Sequence, residues 1–437
     1  MKKQKKIQLL IFFAALCLLY APLWGQKPDS LRVRKHIARL CAPDMHGRGY
    51  EQKGDKVAAD YISAEFEKIG LEKFGTTYFQ NFTISVNTFS KKKIQLQKEK
   101  LIVGKDYLVN PISISGKGKG EIYYLDSAQM TFLLKDKTAQ TQFLNQNLSK
   151  KIVAYPANFY GKVVEHAPEI LRHFYTSKAV LSIENKLTAT LSPEGFAPAT
   201  FQVSKKIFDS LYQIEKEKGK KVTAKFQLQH QTLPQYPTQN VLGYVKGKKN
   251  PQQWLVFSAH YDHLGRVSPE HYFAGANDNA SGVAMLLELA AYFKANPADY
   301  SVAFIAFGAE EIGLKGSLYY VQNPYFPLKQ IKFLMNLDLL GTGDTGATVV
   351  NATIFEKEFA LLQEINREKQ FLPQILSRGE APNSDHYFFF RAGVPCFFIY
   401  LTGGIQAYHD IYDRPETLPL TRFEETFALL IQFMSKF

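Results

Sequence analysis

The sequence predicts an α/β chain: a mostly parallel central sheet sandwiched by helices, interrupted by an inserted β-rich α+β domain. Two observations carry this. From residue 238 onward, short and nearly continuous apolar runs alternate with helical stretches, the pattern of strands buried on both faces between crossover helices. Between residues 91 and 235 that alternation gives way to lysine-rich text with short β runs. The expected layout is a leader over 1–25, a first domain built from 26–90 and 236–437, and an insert over 91–235.

The opening "MKKQKKIQLLIFFAALCLLYAPLWG" has a lysine-rich start, an apolar stretch from Ile7 to Tyr20, and small or turn-forming residues before Gln26. That is the layout of a secretory signal peptide, and it implies export to the periplasm or beyond. Its apolar stretch is short of the ~20 residues a membrane span needs, and no later segment is long and apolar enough. An exported chain with Cys41 and Cys396 leaves their pairing open, because spacing alone fixes no disulfide geometry.

From Asp29 to Gly70 the pattern is helical. "DSLRVRKHIARLCA" places Leu31, Ile37 and Leu40 near one face, and "GDKVAADYISAEFEKIGL" repeats apolar positions at Val57, Ala58, Tyr61, Phe66 and Ile69, with "PDMHGRG" as a turn-rich loop between them. "TTYFQNFTISVNTF" then alternates like a strand. The insert shows β runs in "KKIVAYP", "KAVLSIE" and "KVTAKFQLQ" and a helix in "SKKIFDSLYQIEKEKG". Its exit, "QTLPQYPTQN", has the polar, proline-bearing composition of a linker. Strands follow in "NVLGYVKG", "QWLVFSAH", "YSVAFIAFG", "IKFLMNLD" and "VPCFFIYL", with helices between and after them.

The net charge of +13 looks like a nucleic-acid signal until it is divided along the chain. Residues 1–25 carry +4 and residues 91–235 carry +11, from 23 basic against 12 acidic side chains, which leaves the remainder near neutral. The basic excess is rich in lysine, poor in arginine and not interleaved with aromatics, so a solvated basic surface is expected and no nucleic-acid partner.

Ligands of open α/β sheets sit beyond the carboxyl ends of the strands, so the residues that follow each strand matter most. "WLVFSA" runs into His260, Tyr261 and Asp262; "YSVAFIAF" runs into Glu310 and Glu311; "IKFLMNL" runs into Asp338; and "VPCFFIYL" is followed by a glycine loop with Tyr408 and His409. "GANDNASG" puts Asp278 in a tight loop before a helix. Each has an ordinary explanation alone, as a helix cap, a satisfied histidine or a turn residue. Together, two imidazoles and several carboxylates on one edge suit divalent metal, zinc better than magnesium. Adjacent glutamates then make sense: one coordinates while its neighbour stays free to take a proton from water.

In this order, "SAHYDHLG", "GANDNASGVAMLLELA", "AFGAEEIGLKGS", "MNLDLLG" and "YHDIYDRPETL" resemble the co-catalytic zinc aminopeptidases, a metallopeptidase family that also holds glutamate carboxypeptidases and glutaminyl cyclases. "DMHGRGYEQKGDKVAADYISAEFEKIGL" resembles that family's leading helices. The likeness covers residues 238–437 strongly and 30–90 loosely. In the insert, "NLSKKIVAYP", "SKAVLSIE" and "PATFQVSKKIFDSLYQ" are similar to a protease-associated domain, although the glycine-rich core usual there is thin.

The resemblance implies a zinc exopeptidase fold of the phosphorylase/hydrolase-like type, peptide substrates, and two zinc ions. His260 and Asp338 would hold one ion, Glu311 and His409 the other, and Asp278 would bridge them. Glu310 would be the general base, Asp262 would accept the second ring proton of His260, and Tyr408 would stabilise the oxyanion. His263, His271 and His386 fall outside the ligand set, and Asp385 would shape the substrate end of the cleft. Two other activities stay open: a carboxypeptidase acting on acidic C-termini, which needs a cation such as Arg378 or Arg391, and a glutaminyl cyclase. Cyclase relatives usually carry tryptophan where this chain has Tyr408. A non-catalytic homologue is a fourth reading, against which stand all five ligand positions and the base.

Overall fold

The computed structural model describes residues 27–437, so the signal-peptide segment lies outside the described residues. Two helices lead, α1 (Ser30–Leu40) and α2 (Gly54–Ile69). Asp29 caps α1 by accepting hydrogen bonds from the Leu31 and Arg32 amides. The buried face of α1 is Val33, His36, Ile37 and Leu40. Leu31, expected on that face, is 80% exposed. It stands two residues before Val33, roughly 200° away around the helix.

Fourteen strands form one sheet among the described residues. In chain order they are β1 (Phe79–Leu96), β2 (Glu99–Lys100), β3 (Tyr107–Val109), β4 (Gly116–Tyr124), β5 (Lys151–Pro156), β6 (Ala179–Glu184), β7 (Thr200–Ser204) and β8 (Thr223–Val245). There follow β9 (Asn250–His260), β10 (Tyr300–Phe307), β11 (Ile331–Leu337), β12 (Gly346–Val350), β13 (Ile375–Ser377) and β14 (Cys396–Thr402). The path runs β13-β12-β14-β11-β9-β10-β8 and continues β4-β5-β6-β7-β3. The four central strands β14, β11, β9 and β10 are parallel. Over residues 91–235, β4 to β7 run parallel, with helices between β4 and β5 and between β5 and β6, flanked by antiparallel β3 and β8.

The expected linker "QTLPQYPTQN" is instead the middle of β8, which pairs with β1 from Val241 opposite Phe79 down to Ala224 opposite Leu96. Two prolines fit there for a physical reason. On its other side β8 is paired only at its ends, to β4 over Thr223–Leu228 and to β10 over Val241–Val245, so the stretch between has one partner. Pro234 also falls inside a register shift between Ile84 and Val86, where ladder bonding lapses.

Alternate residues of the central strands face opposite cores. Phe257, Phe304 and Met335 pack with Ile37 of α1, Ile62 of α2, Val283 of α3 (Gly282–Ala295) and Phe427 of a C-terminal helix (Phe423–Met434). Val256, Ile305 and Leu334 pack on the other face with Tyr320 and Phe389. Burial on both faces is why these strands read as unbroken apolar runs. Cys41 belongs to the first cluster and Cys396 to the second, and both are buried free thiols. No helix of the described residues is long and apolar enough to cross a membrane.

The loop between α1 and α2 does more than turn the chain. His46, Gly47 and Arg48 take left-handed backbone angles, and a Cβ on Gly47 would come within 2.3 Å of the Gly265 carbonyl oxygen, so glycine is required there. The turn drives Arg48 fully into the interior. Its Nε donates to Tyr261 O at 2.7 Å, its Nη1 to Leu40 O at 3.0 Å and Ala274 O at 2.6 Å, and its Nη2 to Gly275 O at 2.9 Å and Asp278 O at 3.1 Å. Five N–H groups meet five backbone carbonyls. Lysine has three donors and no planar fork, so Arg48→Lys is expected to lower unfolding free energy by about 3 kcal/mol or more in denaturant titration. Amide exchange in residues 274–278 should rise with it.

Candidate metal centre

The carboxyl ends of β9, β10, β11 and β14 lie on one edge of the sheet, and the residues singled out from sequence converge there. His260 ends β9, Glu310 and Glu311 follow β10, Asp338 follows β11 directly, and His409 lies in the loop after β14. Asp278 occupies the turn before α3. Ala309, Leu339 and His409 have φ of 60°, 55° and 52°, so three of these segments hold a non-glycine residue in the left-handed region at or next to a site residue.

Asp278 stands between the two histidines. Its Oδ1 lies 3.3 Å from His260 Nε2 and its Oδ2 lies 3.0 Å from His409 Nε2. Asp338 Oδ1 is 3.5 Å from His260 Nε2, and Glu311 Oε2 is 3.2 Å from His409 Nε2. The residues therefore sort into two groups that share Asp278. Glu310 joins the first, because candidate ligand atoms of His260, Glu310 and Asp338 lie within 4.8 Å of one another.

Four carboxylates this close need positive charge nearby. Burial alone would push the His260 imidazole down, but Glu310, Asp338 and Asp278 outweigh it and hold the ring well above its usual range. His409 behaves likewise, with Glu311 and Asp278 raising it to about 9 against the opposing effect of burial. Burial pushes the Glu310 carboxyl well above the ordinary range, reinforced by Glu311. Asp338 Oδ2 accepts from Ser384 Oγ at 3.1 Å, while its Oδ1 is buried without a hydrogen bond. Paired imidazoles, clustered carboxylates and that uncommitted oxygen fit divalent zinc.

The surrounding bonds hold backbone more than side chains. The Asp262 carboxylate, expected to accept the second ring proton of His260, is 3.9 Å from Nδ1, and the contact at 3.2 Å is made by the Asp262 backbone oxygen instead. The carboxylate accepts from the Glu310 amide at 3.0 Å, the Glu311 amide at 3.2 Å and Tyr50 Oη at 2.7 Å. Its reach is taken up by the turn that carries both glutamates. Asp413 accepts from the amides of Asn277 and Asp278, and Asn279 accepts from Gly282 and Leu339, so the Asp278 turn is braced from both sides.

Sequence reasoning missed Arg48, Asp413 and His263. Asp413 lay inside the quoted "YHDIYDRPETL" without a role. His263, outside the expected ligand set, is buried with Nδ1 at 2.6 Å from Glu311 Oε1, and so fixes the rotamer of a site residue. His271 bonds Ser268 on the surface side, and His386 packs against the Phe398 ring. Asp385, expected at the substrate end, is fully buried and does not line the cleft. The cleft is a cavity of about 270 Å³ whose wall includes His260, Asp278, Glu310, Glu311, Asp338 and His409, with Tyr408 at its edge.

Residues 240–434 match the sequence profile of Peptidase family M28. The M28 likeness extends to curated relatives and to solved folds. Over 225 residues the chain is 32% identical to aminopeptidase YwaD of Bacillus subtilis (strain 168), a match that spans 50% of this chain and 47% of that relative. The chain thus spans about half the length of that relative. In fold it is similar to BSAP, a zinc aminopeptidase from Bacillus subtilis (TM-score 0.68, 20% identity, 93% of this chain and 94% of that one). It is also similar to a peptidase M28 precursor from Shewanella amazonensis SB2B (TM-score 0.71, 16% identity, 93% and 92%).

The insert reaches back to the M28 segment at one point of contact with the site. Ala189 donates its amide to His409 O at 2.8 Å and accepts from His409 Nδ1 at 2.9 Å. Lys186 Nζ reaches Gln406 O at 2.8 Å and Asp410 Oδ2 at 3.2 Å. Behind them, Leu108, Leu187 and Leu191 of the insert pack with Leu264, Phe273 and Ile411. Partners that orient a candidate ligand in this way are worth about 10–100-fold in metal affinity. Ala189→Pro, which removes the amide donor, is expected to weaken zinc binding about ten-fold in chelator competition. In the metal-free protein it should also speed amide exchange over residues 406–412, with Lys186→Ala giving a smaller effect that high salt reduces.

Proposed function

We propose that the chain is an exported aminopeptidase that uses two zinc ions to hydrolyse the N-terminal bonds of peptides. The observation that carries this is the Asp278 carboxylate, whose two oxygens face two different histidines. In this arrangement His260 and Asp338 would hold one ion, Glu311 and His409 would hold the other, and Asp278 would be shared between them. The naming of the Bacillus subtilis relative as an aminopeptidase supports the substrate class. The leader-like first 25 residues support export, and the insert is read as protease-associated-like.

When bound, zinc supplies Lewis acidity, polarising the scissile carbonyl and bringing the pKa of water toward neutrality. The Glu310 carboxylate takes a proton from the attacking water and returns it to the leaving amine nitrogen as the C–N bond breaks. Its neighbour Glu311 is committed elsewhere, because His263 holds its Oε1 and its Oε2 faces His409, the residue with which it would share an ion. Asp262 keeps the two glutamates apart by gripping both of their amides. Tyr408 stacks on the His409 ring with centroids 4.0 Å apart, and its hydroxyl is available to the carbonyl oxygen as that oxygen gains charge. Burial and the nearby carboxylates hold that hydroxyl in its protonated, donating form.

The test is zinc per chain on the mature protein, together with hydrolysis of aminoacyl and N-blocked aminoacyl reporters. Two zinc ions with cleavage of free-amine reporters only is the expected result; cleavage of N-blocked substrates alone would point to a carboxypeptidase. Glu310→Ala should retain wild-type zinc and lose about 10²–10⁴-fold in kcat. Glu311→Ala should lose zinc itself, and equal zinc loss in both variants would overturn this division of roles.

A further inference from the structure

Among the described residues Arg378 is the one arginine or lysine on the cavity wall, and the geometry points to it as a specificity residue. We infer that it selects substrates that carry a carboxylate beside the cleaved bond, either an acidic N-terminal side chain or the free C-terminus of a dipeptide. The inference rests on the aminopeptidase reading.

Three observations carry it. First, Arg378 is placed by backbone rather than left on a loose loop: it follows β13, donates its amide to Val349 O at 2.9 Å, and accepts from Ala352 N at 3.1 Å. Second, its guanidinium has no hydrogen bond or ion pair among the described residues. The acid nearest to it in sequence, Glu380, is 3.6 Å from Arg391 instead, and Arg391 does not line the cavity. The two arginines that sequence reading could not tell apart thus separate, one into the site and one outside it.

Third, the charges require it. Two divalent ions would cancel Asp278, Glu310, Glu311 and Asp338, leaving Arg378 as the net charge of the pocket wall. Arg378 is itself exposed, with Phe398 and Tyr400 on the same wall, so an incoming carboxylate can reach its guanidinium directly. A guanidinium also matches a carboxylate with two parallel N–H···O bonds, which an ammonium cannot do. At about 270 Å³ the cavity is at the low end for small-molecule sites, which suits the end of a peptide and not a long segment.

The experiment compares kcat/KM in two pairs of substrates: aspartyl or glutamyl against leucyl reporters, and dipeptides with free against amidated C-termini. In the wild type one pair should favour the carboxylate-bearing member by about ten-fold or more, and which pair does so identifies the source of the carboxylate. Arg378→Ala should bring that ratio near one, and Arg378→Glu should invert it, both with wild-type zinc content. Ratios that are the same in wild type and Arg378→Ala overturn the inference and leave the aminopeptidase reading standing. Failure of the wild type to cleave any free-amine substrate overturns both.

Discussion

Arg48 carries a positive charge into the interior, and backbone carbonyls take up all five of its N–H groups. Because a guanidinium is planar, those carbonyls are constrained to directions set by one rigid group. They belong to the end of α1, to the residue after His260, and to the turn that holds Asp278. Carboxylates crowded this closely repel one another and would spread apart on flexible loops. The cation behind the turn fixes the backbone against that repulsion. The remaining braces, Asp413 beneath Asn277 and Asp278 and Asp262 beneath Glu310 and Glu311, repeat the scheme with opposite sign, using anions to gather backbone amides.

The inserted segment belongs to this same support. Ala189 contributes only main-chain atoms, yet it fixes both the ring and the backbone of His409. The insert also packs behind the β9 loop through Leu264. His263, one residue earlier, holds Glu311. The second half of the centre is therefore assembled from two parts of the chain that sit more than 200 residues apart in sequence.

The sequence made the central strands legible because burial on both faces leaves no polar alternation to confuse them. It made the site legible because a charged residue directly after such a run has few structural reasons to be there. His260, Glu310, Glu311 and Asp338 were visible in that way. β12 and β13, at five and three residues, are too short to show a period, and β8 was disguised by Pro234 and Pro237. Arg48 and Ala189 were hidden for a different reason: their partners are carbonyls and amides, which every residue carries and no composition reveals. Asp262 was found but its partner was not, since two residues of spacing places a carboxylate near a ring without fixing which acceptor reaches it.

The unbroken run of β8 has a mechanical meaning. Its first residues pair with β4 of the insert and its last with β10, the strand that leads into Glu310, while β1 accompanies it for most of that distance. Two paired strands bend far less readily than a linker swivels. The insert thus has no pivot of its own, and the two parts of the molecule behave as a single beam whose softest points are the two register shifts opposite Ser85 and Ser90.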